Sequence, residues 1–291
     1  MVQRNLDYRL LKDRRNEYGI SQNKLATACG LSRPYLNQIE NGGVTASTKT
    51  MRKIFNQLES FNPDLPLSLL FDYVRIRFPT TDARKIIQEI LHLKFDYMLH
   101  EDYAFYSYQE QYVMGDIVVM LSHEEDKGVL LELKGRGCRQ FETFLLAQKR
   151  SWYDFFEDCL KAGGVMKRLD LAINDLVGLL DIPDLTKKCQ KEECISLFRT
   201  FKSYRSGELL KADEKDGMGN TLYIGSLKSE VYFCLYEKDY EQYIKLGIPL
   251  DKTETKNRFE IRLKNDRAYH AIQDLLKGRS IESTTFSIIN R

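Results

Sequence analysis

Three short segments of this chain alternate apolar and polar side chains with a period of two, which commits them to strands of a sheet covered on one side. They are RLDLAIN (Arg168 to Asn174), VYFCLYEK (Val231 to Lys238) and RFEIRLK (Arg258 to Lys264). Leu169, Leu171 and Ile173 share one face of the first, and Phe259, Ile261 and Leu263 one face of the third. The opposite faces carry Arg168, Asp170 and Asn174, then Arg258, Glu260 and Arg262. The middle segment sets Tyr232, Cys234, Tyr236 and Lys238 on one side. A sheet face that gathers carboxylates, a tyrosine and a lysine is either a solvated surface or a reactive site.

The rest of the chain narrows the choice. Its 291 residues suffice for one larger and one smaller domain with a core in each. No apolar run is long enough to span a membrane, and the N-terminus lacks the apolar core of a signal peptide, so a cytoplasmic protein without membrane insertion is expected. The six cysteines form no CxxC pair, and free thiols fit a reducing compartment. The four histidines (His92, His100, His123, His270) stand apart in sequence and read as surface or capping residues. Residues 1–60 hold ten Lys and Arg against five Asp and Glu, a balance of +5, and the remainder a balance of −3. A basic head on a slightly acidic body fits a nucleic-acid-binding unit joined to a catalytic or scaffolding one.

The head reads as short helices. One spans Tyr8 to Tyr18. Ser21 caps a second over Gln22 to Cys29, and Ser32 caps a third with Pro34 in its first turn. The third ends at Asn41-Gly42, a left-handed stop, and a last helix runs from Thr48 to Leu58. Leu25, Ala28, Leu31, Leu36 and Ile39 are the expected core. SQNKLATACGLSRPYLNQIENG resembles the helix-turn-helix of the phage-repressor and Cro-like family. That resemblance sets the third helix in a major groove, with Arg33, Tyr35, Asn37 and Gln38 facing DNA. A helical bundle for protein contacts is the plain alternative. Two prolines between Glu59 and Pro66 then make a linker, so the expected domains are 1–60 and 67–291.

In the body, strand-like FDYVRIRFP precedes a helix over Ala83 to Leu93, a hairpin about HEEDKG, and one long amphipathic helix from Phe141 to Leu160. A helical stretch from Leu185 to Phe201 separates RLDLAIN from the later strands. The fold class expected is α+β: a small all-α head, then an antiparallel sheet with helices on one face.

FDYVRIRF, GRGCRQFE, RLDLAIND, TLYIGSLKSEVYFCLYEKDYEQ and NRFEIRLKND, in this order, are similar to blocks of the replication initiation factor (Rep_trans) family. Its members include rolling-circle plasmid initiators and relaxases of integrative conjugative elements from Gram-positive bacteria, and the added helix-turn-helix resembles the relaxase branch. The resemblance implies nicking of one DNA strand at an origin of transfer through a 5′-phosphotyrosine, assisted by a divalent metal, Mn²⁺ or Mg²⁺. It maps the nucleophile to Tyr236, with Lys238 beside it, and the metal-binding acids to Asp72, Asp170 and Glu260. Asn174 stands where relatives have a second Asp. The implied partners are duplex origin DNA at the head, a single strand at the active site, a helicase and the conjugation machinery. Family relaxases are often longer, which makes a shortened C-terminus one reading. A plasmid replication initiator is the alternative of the same chemistry, and a non-catalytic transcriptional regulator the alternative of another class.

The chemistry also reads from the residues. A phenol with a pKa of about 10 needs help to attack at neutral pH. Oxygen ligands without histidine suit a hard cation. Tyr223, Tyr232 and Tyr240 compete with Tyr236, and Glu260 has Arg258 and Arg262 as plain ion-pair partners. Simple alternation puts Asp72 on the apolar face of Val74, Ile76 and Phe78, where an acid needs a partner. Gly135 and Gly137 suit a tight turn or a phosphate approach, and Glu142 a cap or a ligand.

Overall fold

A computed structural model describes residues 8–59, 61–62, 65–124, 126–205 and 219–290. The chain forms two compact units, one from residues up to 65 together with 141–155, the other from 66–140 together with 156–291.

In the first unit, helices α1 (Tyr8–Glu17), α2 (Gln22–Ala28), α3 (Arg33–Glu40) and α4 (Thr48–Glu59) enclose Leu11, Leu25, Ala26, Leu36, Ile39, Ile54 and Leu58. Ala26 takes the buried place expected of Ala28, which is half-buried. Ser21 accepts the Lys24 N–H at 3.2 Å and Ser32 the Tyr35 N–H at 3.3 Å, so both caps satisfy first-turn donors. Gly42 takes φ +72° after α3, and the Gly43 N–H bonds the Gln38 carbonyl at 2.8 Å. Arg15 and Glu40 form a buried ion pair at 2.7 Å that ties α1 to α3.

The second unit is built on a ten-stranded sheet in the order β2-β3-β4-β5-β1-β6-β10-β9-β8-β7, counted over the described residues. The strands are β1 (Leu67–Phe78), β2 (Leu99–Glu101), β3 (Glu110–Met114), β4 (Ile117–Leu121), β5 (Val129–Lys134), β6 (Val165–Asp175), β7 (Phe201–Arg205), β8 (Asn220–Ile224), β9 (Val231–Glu237) and β10 (Asn257–Lys264). Every pairing is antiparallel. The three alternating segments fall in β6, β9 and β10, side by side at the centre. Val74, Ile76, Leu169, Leu171, Leu235, Ile261 and Leu263 make the buried apolar face. Helix α10 (Asn265–Leu276) lies against β6 and β10, burying Ala268, Ala271, Ile272 and Leu275, and α11 (Ile281–Ile289) reaches β1.

Several local expectations are corrected. The helix after β1 is α5 (Ala83–Lys85) continued by a π-helical turn, Ile86–Ile90, closed by Leu91 N–H to Ile86 O. That wide turn keeps Ile86, Ile87, Ile90 and Leu91 all buried. GRGCRQFE is the first turns of helix α6 (Gly135–Ala147), so Gly135 and Gly137 stand in a helix and not in a tight turn. The long helix is broken into α6 and α7 (Trp152–Lys161) at Lys149, which has φ +57°. Ser151 and Asp154 then cap each other across the new N-terminus, a signal that the amphipathic count overrides. The helical stretch after β6 is only α8 (Ile182–Gln190), capped by Asp181, and β7 begins at Phe201.

Candidate active site

Register brings the polar side chains of the central strands together. Tyr236 on β9 stands opposite Arg258 on β10, which stands opposite Asn174 on β6. Two residues along, Glu260 is paired with Cys234 on one side and Ala172 on the other. The Tyr236 hydroxyl donates to Glu260 Oε1 at 2.8 Å. Glu260 is 4% exposed and its second oxygen takes the Arg262 guanidinium, Nε at 2.8 Å and Nη2 at 2.7 Å.

Asp72 reaches the same place by a break in alternation. The β1–β6 register slips between Phe71 and Tyr73, a β-bulge at Asp72. Phe71 turns to the helix side and meets the Phe156 ring edge-on at 5.3 Å. Asp72 therefore leaves the apolar face expected of it and joins the polar one, where its Oδ1 accepts Arg258 Nη1 at 2.8 Å. Arg258 also donates through Nε to Asn174 Oδ1 at 2.8 Å. Gly135 borders this corner, where a Cβ would meet Asp72 Oδ1 at 3.5 Å, an ordinary contact.

Lys238 does not continue the strand. β9 ends at Glu237, and Lys238 is the first residue of helix α9 (Lys238–Leu246). Its ammonium pairs with Glu241 one turn on and lies 5.5 Å from the centre of the Tyr236 ring. Tyr236 is thus set among Glu260, Arg258 and Lys238. Burial, and then the charge of Glu260, hold its phenol well above the ordinary tyrosine range. Burial likewise raises the Asp72 carboxyl, with Arg258 opposing.

Asp170 belongs to a neighbouring pair. Arg168 grips it with Nε at 2.8 Å and Nη2 at 2.6 Å, and Arg262 Nε stands 3.7 Å away. Burial raises its carboxyl to about 6 against the pull of Arg168. The three acids expected to share a metal are accordingly held by Arg258, Arg168 and Arg262. Among the described residues, no three Asp, Glu, His or Cys side chains gather closely enough to hold an ion. As arranged here the acids do not fit a divalent cation, which would have to displace Arg258 from Asp72 or Arg262 from Glu260.

Residues 164–291, which carry Tyr236, Asp170 and Glu260, match the family described as replication initiation factor. Residues 164–291 form a replication initiation factor domain. Ahead of this domain, residues 68–158 match the N-terminal domain of rolling-circle replication initiation proteins, and residues 11–61 a helix-turn-helix. The chain is 48% identical over 226 residues to a putative DNA relaxase, NicK, of Bacillus subtilis, covering 77% of this chain and 63% of that protein. It thus spans less than two thirds of that relative's length. A 45-residue stretch is 49% identical to the ImmF control region 10 kDa protein of Bacillus phage phi105, covering 16% of this chain and half of that one. Among solved structures, a rolling-circle replication initiator from Geobacillus stearothermophilus is similar with a TM-score of 0.61 and 25% identity, over 72% of this chain and 79% of that one.

Around the replication initiation factor domain, other expected residues find plain roles. Tyr223 and Tyr232 lie on the polar face, their rings 5.8 Å and 5.7 Å from the Arg262 guanidinium. Glu142 accepts the Trp152 indole N–H at 3.0 Å. His100 and His123, distant in sequence, both reach Glu110, at 2.5 Å and 3.7 Å, because β3 brings them together. In the head, Arg33, Asn37 and Gln38 are exposed, while Tyr35 packs partly on the helical core. Asn37 Oδ1 accepts from Gln22 at 2.9 Å and Asn41 at 3.0 Å, which leaves its amide hydrogens to face outward. Sequence reasoning missed Arg258, Arg262 and Arg168 as site residues. Their signal was present as the charged neighbours of each acid on alternating strands.

Proposed function

We propose that the chain nicks one strand of DNA at an origin of transfer, with Tyr236 as nucleophile and Glu260 as its proton acceptor. The observation that carries this reading is the 2.8 Å bond from the Tyr236 hydroxyl to buried Glu260, inside a domain of the replication initiation factor family. Tyr236 Oη attacks the scissile phosphorus and its proton passes to Glu260, a geometry suited to general-base transfer. The bond from phosphorus to the 3′ oxygen breaks, and the 5′ phosphate stays on the tyrosine. The phosphodiester energy is retained in that link, so rejoining needs no nucleotide cofactor. Arg258 and Lys238 supply cationic charge for the developing phosphate charge. No step is assigned to Mn²⁺ or Mg²⁺.

The basic head reads duplex origin DNA in this proposal, with Arg33, Asn37 and Gln38 toward the bases and Tyr35 beside them. The helix-turn-helix match over residues 11–61 supports a duplex-binding head. Similarity to the Geobacillus initiator favours a second reading, nicking at a rolling-circle replication origin. The two share one chemistry and differ in the DNA on which the nick appears. The test is incubation with a single-stranded origin oligonucleotide, with and without a divalent ion, followed by denaturing electrophoresis and mass spectrometry. A covalent adduct on Tyr236 is expected. A protein that binds origin duplex and never forms an adduct would be a regulator instead.

A further inference from the structure

The polar face of the sheet continues past the Tyr236 cluster to a second feature that the nicking step does not use. Arg75, Arg168 and Lys264 fall on one register line across β1, β6 and β10. Tyr236, Arg258 and Asn174 make another, six residues back along β10. At the rise of a strand the two lines are about 20 Å apart. Beside the first line is a pocket of about 380 Å³ lined by Arg75, Lys167, Lys264, Asn265, Leu130 and the ring of Tyr106. Among the described residues no carboxylate lines it, and buried Glu132 stands behind it, 3.9 Å from the Arg75 guanidinium. Arg75, Lys167 and Lys264 line that space, the Lys264 ammonium also donating to the Leu227 carbonyl at 2.6 Å, and between it and Tyr236 the same face carries Arg262.

Tyr106 is placed there at a structural cost. It and Ser107 have φ +58° and +62°, two successive non-glycine residues in the left-handed region. The loop is held by the Tyr106 hydroxyl, which donates to Glu132 Oε1 at 2.9 Å, and by Lys127 Nζ to the Ser107 carbonyl at 3.3 Å. Glu132 is buried and also takes the Tyr73 hydroxyl. The Tyr106 ring lies 5.0 Å from the Arg75 guanidinium, yet the residue remains 49% exposed. Next to it Phe105 is 59% exposed and Tyr103 60%. An anchored aromatic ring open to solvent beside clustered cations is the pairing that takes a base on the ring and its phosphate on the charges.

We propose that this pocket is a single-stranded DNA subsite, holding a nucleotide of the flank several positions from the scissile bond. Its phosphate lies among Arg75, Lys167 and Lys264, and its base stacks on Tyr106. The proposal rests on the nicking reading for the presence of a single strand at this face, and duplex is too wide to bring a base flat onto the ring.

The test uses the full chain carrying Tyr236→Phe, so that nothing is cleaved, and fluorescein-labelled oligothymidylate read by anisotropy at two salt concentrations. Tyr106→Ala should weaken binding by roughly 5- to 150-fold, the range for loss of one base stack. Tyr106→Phe keeps the ring, loses the bond to Glu132, and should bind like its parent. Lys167→Glu, on the strand rather than the loop, should weaken binding and make its salt dependence shallower. Thermal melts of each variant confirm folding. Parental binding by both Tyr106→Ala and Lys167→Glu overturns the subsite, as does Tyr106→Phe binding as poorly as Tyr106→Ala. If the wild-type chain meanwhile forms its Tyr236 adduct, the nicking reading stands and the subsite alone falls. Absence of both the adduct and single-strand binding overturns the two together.

Discussion

Replacing Glu260 by glutamine removes a charge from beside Tyr236 with almost no change of volume. A positioned proton acceptor contributes about 10²- to 10⁴-fold to a rate, or about 3–5 kcal/mol of barrier. The structural cost is separate. Glutamine keeps a carbonyl oxygen for the Tyr236 hydroxyl, but Arg262 loses its charged partner and retains Asp170 at 3.7 Å. The Arg262 side chain is 21% exposed, so water compensates in part and the loss falls near the lower end for a charged hydrogen bond, about 1–2 kcal/mol. Denaturant unfolding measures the second quantity, and single-turnover nicking of a labelled single strand by fully folded protein measures the first. The pH profile adds an independent reading. Burial and then Glu260 hold the phenol above its ordinary range, and loss of the charge lets it fall back toward that range. With the carboxylate as acceptor the rate should depend little on hydroxide. With glutamine, hydroxide must take the proton and the rate should climb about tenfold per pH unit. Nicking by the variant within about threefold of wild type, with a level profile, would refute the assignment of Glu260 as base.

Tyr236→Phe should abolish the covalent adduct and leave binding of origin DNA unchanged, and an adduct mapped to Tyr223, Tyr232 or Tyr240 would move the nucleophile. Arg33→Ala should cost about 1–3 kcal/mol of duplex binding if its guanidinium reads a base, with specificity relaxed at one position, as binding to wild-type and scrambled duplexes will report. Gly137→Ala puts a Cβ into the Asp116 carbonyl oxygen at the start of α6, and the shift it forces should cost about 1–3 kcal/mol in denaturant unfolding. Arg258→Ala leaves Asp72 without its ion-pair partner, so Mn²⁺ should bind the variant more tightly by calorimetry, and unchanged affinity would show that Arg258 is not what keeps a cation away.

Much of this molecule was legible as pattern. The helices of the head begin and end at Ser21, Ser32 and Gly42, because caps and left-handed stops are local chemistry that needs no distant partner. The alternation in RLDLAIN, VYFCLYEK and RFEIRLK gave the faces of β6, β9 and β10, because strand side chains have a fixed period. Where the pattern misled, a local rule competed with it. Ser151 and Asp154 start a new helix inside a continuous amphipathic stripe, and Lys238 leaves the strand to open α9.

The sequence by itself determined the elements, their buried faces and the residue types available for chemistry, since these follow from propensity and periodicity along the chain. Only the tertiary structure decided which charges meet. A single extra residue at Asp72 turns that acid from the apolar face to Arg258, across strands 186 positions apart. Antiparallel register sets Glu260 diagonal to Tyr236, while Asp170 is taken by Arg168 two residues back on its own strand, and so acids that a list of carboxylates would pool are separated. A loop in an unusual backbone conformation carries Tyr106 over Glu132. Pairings of this kind depend on register and bulges, which are fixed by the packing of the whole sheet and leave little trace in any one strand.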